Sequence, residues 1–156
     1  MLIILIIVTA LVAIDQATKL MCTAWLEPVG TVPIIQNVLH LTYAKNSGAA
    51  FGSLQGGRWF FLTLTVVAIA VILWMLIKYR KNGRLLEIGL VLTLAGAIGN
   101  MIDRARLGYV VDMIDFKAIN FAIFNLADSC LSIGCVLLVL YIILSEHKKP
   151  KRRHAK

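Results

Sequence analysis

The chain has 156 residues, of which 60% are hydrophobic and 15% are charged. Soluble domains average roughly 45–50% apolar and about 25% charged residues, and a domain of this size has no interior large enough to hide the excess apolar surface. The composition therefore excludes a cytosolic enzyme, a secreted disulfide scaffold and a disordered tail, and it predicts an integral membrane protein.

The formal charge of +8 comes from 16 Lys and Arg residues against eight Asp and Glu residues. Four of the basic residues lie within residues 78–84 and six follow Glu146. Both clusters flank apolar runs, which is typical of a topology signal, because Lys and Arg in short loops stay on the cytoplasmic side. We therefore expect no nucleic-acid partner, and we expect both termini and the 78–84 loop to be cytoplasmic.

Four apolar runs are long enough to cross a bilayer core of about 30 Å, which takes roughly 20 residues of helix. The predicted spans are residues 2–26, 59–77, 85–102 and 121–144. The first run lacks the basic start and the small-residue cleavage site of a signal peptide, so it is predicted to be a retained helix. Residues 1–156 then form a single integral membrane domain with a basic cytoplasmic tail at 146–156.

Two segments are predicted to face outward, residues 28–57 and 104–120. The first has Pro and Gly turn signals, and its residues 39–43 alternate between apolar and polar as in a short strand. We expect a small β-sheet there and a short interfacial helix or loop in the second segment. The predicted fold is a membrane α-helical bundle of four transmembrane helices, with a small β-sheet cradle and a short interfacial segment on the outer face.

Polar residues are concentrated at the outer level of this topology. Charged groups inside a bilayer are costly and are functional candidates by default. Five aspartates reach the outer level: Asp15, Asp103, Asp112, Asp115 and Asp128. The predicted cytoplasmic half of the bundle holds only Glu87 as an ionisable group, near its edge.

Several of these polar residues also have a structural interpretation. Asp15 and Lys19 are four residues apart, so they can pair on one helix face. Asp103 and Arg104 can tie the end of the third helix to the lipid headgroups. Asn100 and Asn125 lie at helical spacing from Arg104 and Asp128, so both helices present a polar stripe inward. Hydrogen-bonded structural networks would account for all of these pairs.

Asp112 and Asp128 have no obvious dedicated basic partner. Two carboxylates that approach each other in a partly dehydrated site cannot both ionise easily, and they share a single proton. Such a pair can activate a water and protonate a leaving amine, as in aspartic proteases. The alternative interpretation is that each aspartate is simply hydrated near the interface.

Other chemistries are less well supported. A serine or cysteine nucleophile needs a nearby base, but His40 lies on the predicted outer sheet, and the other histidines, His147 and His154, lie in the tail. The pair Asp112 and Asp115 lacks the glycine and the second acidic repeat of membrane phosphotransferase motifs. The cysteines lie in apolar stretches and are expected to be small core residues: Cys22, Cys130 and Cys135.

Three other kinds of protein are kept as alternatives to a protease. A proton-coupled transporter would distribute its acidic residues through the bilayer and usually has repeated halves, and this chain shows neither feature. A non-enzymatic assembly protein or chaperone would use the outer sheet for docking. A metal-dependent membrane transferase would depend on a metal that a chelator removes.

Five short segments, in order along nearly the whole chain, resemble the motifs of the lipoprotein signal peptidase (signal peptidase II) family of bacterial membrane aspartyl proteases. They are Asp15-Gln16-x-x-Lys19, Asn46-Ser47-Gly48-Ala49-Ala50-Phe51, Gly99-Asn100-x-x-Asp103-Arg104, Val110-Val111-Asp112 and Phe124-Asn125-x-Ala127-Asp128. Each motif is weak alone, and the five together are specific. The chain departs from the family at Lys45, where many members have Arg, and at Met113, where Phe is frequent.

The resemblance implies removal of the signal peptide from a prolipoprotein whose cysteine carries diacylglycerol, with cleavage N-terminal to that cysteine. It implies catalysis by Asp112 and Asp128, without a metal or other cofactor. The implied substrate-binding residues are Asn46, Gly48, Asn100, Arg104 and Asn125, and the implied structural supports are Asp15, Lys19 and Asp103. The enzyme would be a monomer in the bacterial cytoplasmic membrane, surrounded by membrane lipids, with its site towards the outer leaflet.

Overall fold

The computed structural model describes residues 1–48 and 57–147 and contains four long helices. They are α1 (Leu2–Leu26), α2 (Arg58–Tyr79), α3 (Arg84–Arg106) and α4 (Leu126–His147). All four are long and apolar enough to cross a membrane, which confirms the four predicted spans. Residues 49–56 and 148–156 lie outside the described residues, and with them lie Ala49-Ala50-Phe51 of the second motif, Gly56 and most of the basic tail.

The two largest differences from the predicted helix ends both lie beside the sheet. Helix α3 continues to Arg106, and α4 begins at Leu126 rather than at residue 121. Helix α4 begins later than predicted because Phe124 is extended and its backbone pairs with that of Ile114. The Phe124 carbonyl accepts from the Ile114 amide at 2.8 Å, and the Phe124 amide donates to the Ile114 carbonyl at 3.1 Å. Residues 121–125 therefore form part of the sheet region.

The sheet has three antiparallel strands in the order β1 (Thr31–Ile35), β2 (Leu39–Asn46) and β3 (Val110–Phe116). Strand β2 confirms the short strand that was predicted at residues 39–43. Strand β3 occupies the segment that was expected to hold a short helix or loop, and only a 3₁₀ turn, Lys117–Ile119, follows it. Nearly every β3 residue is buried, so both faces of the strand are covered and its apolar residues do not alternate visibly with exposed ones.

Helix α3 lies at the centre of the bundle and packs against α1, α2 and α4. One apolar core joins α1, α2 and α3 and includes Ile4, Val8, Leu76 and Leu90. A second core beneath the sheet joins the end of α1 to β3 and is formed by Cys22, Leu26, Val111 and Met113. Cys22 and Cys130 are buried as expected, but the prediction is wrong for Cys135, which is exposed on α4.

Glycines on α3 allow its neighbouring helices to approach closely. A Cβ atom at Gly96 would overlap the backbone oxygen of Ala127 at the start of α4. A Cβ at Gly99 would lie 2.6 Å from the Asp15 carboxylate of α1. These two glycines bring the polar residues of α1, α3 and α4 together at the end of the bundle that carries the sheet.

Candidate active site

A cavity of about 820 Å³ opens at the sheet end of the bundle, and both Asp112 and Asp128 line it. The sheet and the chain after it contribute one wall: Ala44, Lys45, Asn46, Ser47, Gly48 and residues 121–124. The helices contribute the other wall: Arg104, Ser129, Leu131, Ser132 and Ile133. The cavity thus combines two carboxylates with an extensive apolar lining.

The first turn of α4 fixes Asp128 through a reciprocal cap with Asn125. The Asp128 amide donates to Asn125 Oδ1 at 2.9 Å, and the Asn125 amide donates to Asp128 Oδ2 at 3.2 Å. This is a capping box, which satisfies backbone donors that a helix start leaves free. The three-residue spacing predicted as an inward polar stripe is therefore the helix cap itself, and Asn125 is fully buried.

Strand β3 carries Asp112, whose side chain is 1% exposed. Asn125 Nδ2 donates to its Oδ1 at 2.6 Å, and Asn46 Nδ2 donates to its Oδ2 at 2.9 Å. Burial raises the pKa of Asp112 to about 6, and the negative charge of Asp128 adds to this effect, whereas the two amide donors oppose it. Asp112 therefore changes its protonation state close to neutral pH.

Two asparagines connect the aspartates through hydrogen bonds. Asn100 Nδ2 donates to Asp128 Oδ1 at 2.7 Å. Asn125 Nδ2 donates to Asn100 Oδ1 at 3.1 Å and also to Asp112 Oδ1. In the described part of the chain neither Asp112 nor Asp128 forms a salt bridge. The carboxylates therefore belong to one network of neutral donors. Of the three asparagines predicted to bind substrate, Asn46 lines the cavity, whereas Asn100 and Asn125 are buried and are not among its lining residues.

A buried ion network lies directly behind these asparagines. Lys19 Nζ is 3.0 Å from the Asp15 carboxylate and 3.2 Å from the Asp103 carboxylate, and both it and its partners are nearly inaccessible to solvent. The predicted pairing of Asp15 with Lys19 is confirmed. Asp103 does not reach towards headgroups as expected, because its side chain is buried, pairs with Lys19 and accepts a bond from the Val111 amide at 3.1 Å.

The two acids of this network position the elements that carry Asp112 and Asp128. Asp15 Oδ1 accepts a bond from the Ala127 amide at 3.0 Å, one residue before Asp128. Asp103 accepts from Val111, one residue before Asp112. Gln16, which was not singled out from the sequence, donates to Asp103 Oδ1 at 3.0 Å. The sequence signal that could have identified Gln16 is its position directly after Asp15 in the first motif.

Arg104 and Gly48 lie at the wall of the cavity, as predicted. Arg104 Nη2 donates to the Gly48 carbonyl at 3.1 Å, and its guanidinium lies 5.0 Å from the centre of the Phe61 ring. The Gly48 amide donates to Asn46 Oδ1 at 3.1 Å, which leaves the Asn46 amide nitrogen directed at Asp112. The end of β2 is therefore held by both Arg104 and Asn46.

Lys45 and Asp115 are placed differently from the network residues. Lys45 lines the cavity and pairs with Glu27 at 2.8 Å, and its ammonium lies 5.6 Å from the Tyr43 ring and 5.5 Å from the Tyr109 ring. The sequence indicated Lys45 only as a departure from the family pattern. Asp115 does not line the cavity; it pairs with Lys117 at 2.8 Å. Among the described residues, no group of three or more His, Cys, Asp or Glu side chains could hold a metal ion.

Four helices able to span a membrane, with a buried polar site at one end, define a multi-pass membrane protein. A family model described as signal peptidase (SPase) II matches residues 7–144. The chain therefore belongs to the signal peptidase II family, whose members are proteases that remove signal peptides from prolipoproteins. As a member of this family, it is a hydrolase of lipoprotein processing.

Similar proteins and structures cover almost the whole chain. The lipoprotein signal peptidase of Lactococcus lactis subsp. lactis is 48% identical over 144 residues, which are 92% of this chain and 95% of that protein. That of Caldanaerobacter subterraneus subsp. tengcongensis is 47% identical over 134 residues, 86% of this chain and 91% of that protein. A solved structure described as a bacterial membrane enzyme has a TM-score of 0.84 and 33% identity, and the match covers 98% of this chain and 94% of that one.

Proposed function

We propose that this protein is an aspartic endopeptidase that cleaves the signal peptide from diacylglyceryl-modified prolipoproteins, N-terminal to the lipidated cysteine. Asp112 and Asp128 are the proposed catalytic residues. The observation that carries the proposal is that these two carboxylates line one cavity and are joined by the amides of Asn100 and Asn125.

The proposed reaction uses one ionised and one protonated aspartate. The ionised carboxylate takes a proton from a water molecule while the water oxygen attacks the scissile carbonyl. The protonated carboxyl donates to the carbonyl oxygen, which gives a neutral tetrahedral intermediate. Collapse of the intermediate breaks the carbon–nitrogen bond as the leaving amine takes the proton that the first carboxylate removed from water. One hydroxyl of the intermediate returns a proton to the second carboxylate, so both aspartates regain their starting states and no covalent bond to the enzyme forms. A site in which one carboxyl, Asp112, has a pKa of about 6 can supply both states near neutral pH.

The remaining polar groups of the cavity are proposed to bind the substrate backbone. Arg104 places a fixed positive charge at the wall, where it can pair with a substrate carbonyl. Asn46 and Gly48 lie on the opposite wall at the end of β2. The amides of Asn100 and Asn125 are already used by the aspartates, so their main role in the proposal is to hold the catalytic pair.

The apolar lining suits a lipidated substrate. Leu131, Ile133 and residues 121–124 form much of the cavity wall beside Asp128. A cysteine that carries two acyl chains stays within one leaflet, so its scissile bond is presented near the membrane surface. We propose that the cavity faces the outer leaflet and that both termini are cytoplasmic, as the basic clusters indicate. The chain is proposed to act as a single membrane domain and as a monomer, without a metal or other cofactor.

The test is cleavage of a purified diacylglyceryl-modified prolipoprotein by the wild type, Asp112→Asn and Asp128→Asn. Each variant is expected to lower kcat/KM by at least about 1,000-fold, as is usual when a central catalytic group is removed. The matched control is Asp115→Asn on the same strand as Asp112, which does not line the cavity and should retain near-normal turnover.

Two results would contradict this assignment. The first is near-normal turnover by a folded Asp112→Asn or Asp128→Asn protein. The second is loss of wild-type activity in a chelator, which a metal-dependent enzyme would show and an aspartic protease should not. An unlipidated version of the same precursor is expected to be cleaved poorly, which tests the proposed substrate class separately from the catalytic pair.

A further inference from the structure

Lys19 is a buried cation that the proposed reaction does not use. It does not line the cavity, its side chain is 3% exposed, and Asp15 and Asp103 neutralise it. A purely structural lysine would need no further partner. Its Nζ nevertheless donates a third bond, at 2.9 Å, to Asn100 Oδ1, and Asn100 is the residue that donates to Asp128.

This third bond, together with the bond that Asn100 Oδ1 accepts from Asn125 Nδ2, determines which way round the Asn100 amide lies. An ammonium group has three donors and no acceptor, so only the oxygen of Asn100 can face Lys19. The nitrogen of the same amide must then face Asp128, where it donates at 2.7 Å. If the amide turned over, its nitrogen would face the Lys19 donor and its oxygen would face a carboxylate oxygen, so both contacts would become repulsive.

Asn125 is oriented in a different way. Its Oδ1 accepts from the backbone amide of Asp128, so the helix cap directs its nitrogen at Asp112, and the same nitrogen also donates to Asn100 Oδ1. Within the described residues, the Asn100 side chain bonds to other side chains: its oxygen accepts from Lys19 and Asn125, and its nitrogen donates to Asp128. The orientation of the donor to Asp128 therefore depends on the side chains of Lys19 and Asn125, and Lys19 is the charged one of the two.

We propose that Lys19 is a positioning residue for catalysis, which fixes the Asn100 amide so that Asp128 always receives a hydrogen-bond donor and is kept ready as a carboxylate. This inference rests on the proposed catalytic role of Asp128. The charged groups around Lys19, Asn100 and Asp128 are Asp15 of α1, Asp103 and Arg104 of α3, and Asp112 of β3. Arg104 is the one cation among these four, and in the described part of the chain it is Lys19, not Arg104, that bonds to Asn100.

The test is the pH dependence of kcat/KM in Lys19→Met and Lys19→Arg. Met has a similar length but no donor, so the acid limb of the profile is expected to move to higher pH by about one unit, the lower end of the effect of a nearby charge. We expect kcat at the wild-type optimum to fall by about 10-fold or more. Arg supplies donors to Asn100 again, so Lys19→Arg should bring the acid limb back towards its wild-type position.

The control for a merely structural role is Asp103→Asn, which weakens the ion network but leaves the Lys19 bond to Asn100 in place. It should lower Tm without moving the acid limb to higher pH. If Lys19→Met does not fold, Lys19→Met/Asp103→Asn replaces it, because the double variant keeps the formal charge of the Asp15, Lys19 and Asp103 network unchanged at −1. This double variant is expected to show the same upward shift of the acid limb.

The proposal would be overturned if the folded Met variant kept the wild-type acid limb, or if Asp103→Asn moved it upward as far as Lys19→Met does. Failure of Lys19→Arg to move the limb back would also overturn it. These outcomes are distinct from failure of the proposed function, which would appear as turnover by Asp112→Asn or Asp128→Asn. If Asp128→Asn is inactive and Lys19→Met keeps the wild-type pH profile, the proposed role of Lys19 is wrong and the proposed role of Asp128 is retained.

Discussion

The sheet end and the apolar half of the bundle are built from the same helices by different physical means. The sheet end, which surrounds Asp112 and Asp128, holds all seven buried polar or charged side chains of the described residues. The apolar half, the core that includes Ile4, Val8, Leu76 and Leu90, is held by packing. Packing is non-directional and tolerates volume-conserving change, whereas a buried polar network is costly as soon as one partner is missing.

Stability and chemistry are separable in the apolar half of the bundle and coupled at the sheet end. In the apolar half, a residue contributes contacts to many neighbours and none to the reaction. At the sheet end, single residues serve as helix cap, strand anchor and catalytic support together. Asn125 is the clearest case, because it caps α4 and also donates to Asp112.

Outside the proposed catalytic pair, the largest effect on kcat is expected for Asn125→Ala. Loss of the cap should cost about 1–2 kcal/mol of unfolding free energy, and loss of the donor to Asp112 should lower kcat by about 100-fold or more, as for other donors that stabilise charge at an active site. Leu90→Ala, at a residue only 1% exposed in the apolar half, should cost about 2–5 kcal/mol but leave kcat of the folded protein near the wild-type value. Thermal melts and cleavage assays on the same preparations measure both quantities.

The variant Asn125→Ser separates the effect on stability from the effect on turnover. A serine oxygen can still cap the helix, but it is too short to reproduce the amide bond to Asp112. The Ser variant should therefore recover much of the lost Tm and little of the lost kcat. Equal recovery of both quantities would show that Asn125 acts on the reaction only through the stability of α4.

A smaller effect on kcat is expected from two glycines of α3, one in each half. In Gly96→Ala, the new methyl group would overlap a backbone oxygen of Ala127, next to Asp128, so the start of α4 would have to move. In Gly89→Ala, the new methyl group would meet the Leu138 side chain at 2.9 Å, which can shift, and the Gly134 backbone oxygen at 3.1 Å, so a smaller adjustment is needed than at Gly96. We expect about 3 kcal/mol of destabilisation for Gly96→Ala, the upper end of overpacking costs, and clearly less for Gly89→Ala.

Activity should separate these two glycines even more clearly than stability. Movement at Ala127 would displace the capping box and with it Asp128, so Gly96→Ala should lower kcat in the folded protein. Gly89→Ala should leave kcat unchanged, because it touches only the apolar half. A similar loss of kcat in both variants would mean that packing in the apolar half also positions the site.

The sequence predicts the helices well because a membrane span is a simple length requirement. Any run of about 20 apolar residues satisfies it, whatever its neighbours are. Strand β2 is also predictable, since Leu39, Leu41 and Tyr43 alternate with polar residues. Strand β3 is not, because it is covered on both faces and its two aspartates break an otherwise apolar run. Its assignment requires knowing what lies on each side of it.

The functional site, like the fold, could be predicted from the sequence only in part. Asp112 and Asp128 are identifiable as acids without a basic partner, and the motif resemblance assigns a role to each residue that bonds to them. The connections are not visible in the sequence. The pairing of Lys19 with Asp103, and the bond from Gln16 to the same carboxylate, join residues more than 80 positions apart. These contacts exist only because Gly99 lets α1 approach α3.

The smallest expected effect is a pH dependence of stability that has opposite signs at the two acids of β3. Burial raises the pKa of Asp112 to about 6, above its ordinary value of 3.8. The folded protein therefore holds this proton more tightly than the unfolded chain, and the resulting stability is present below about pH 4 and lost as pH rises through about 6. The side chain of the Asp112→Asn variant does not ionise, so the variant does not lose stability in this way. Its Tm relative to wild type should therefore rise from pH 4 to pH 7. The corresponding difference in free energy of unfolding should be no more than about 3 kcal/mol.

Asp115, on the same strand, is expected to give the opposite dependence of stability on pH. Burial works against ionisation there too, but hydrogen bonds from Lys117 and Thr42 hold the pKa of Asp115 below its ordinary value. Its contribution to stability is present above the unfolded pKa and is lost as pH falls, so Asp115→Asn should lose Tm relative to wild type as pH rises from 3 to 6. Melting curves of the three proteins across this range measure both slopes. Parallel slopes for the two variants would show that the cavity does not hold Asp112 in a less favourable environment than its neighbour, and would remove the distinction between a strained catalytic acid and a structural one.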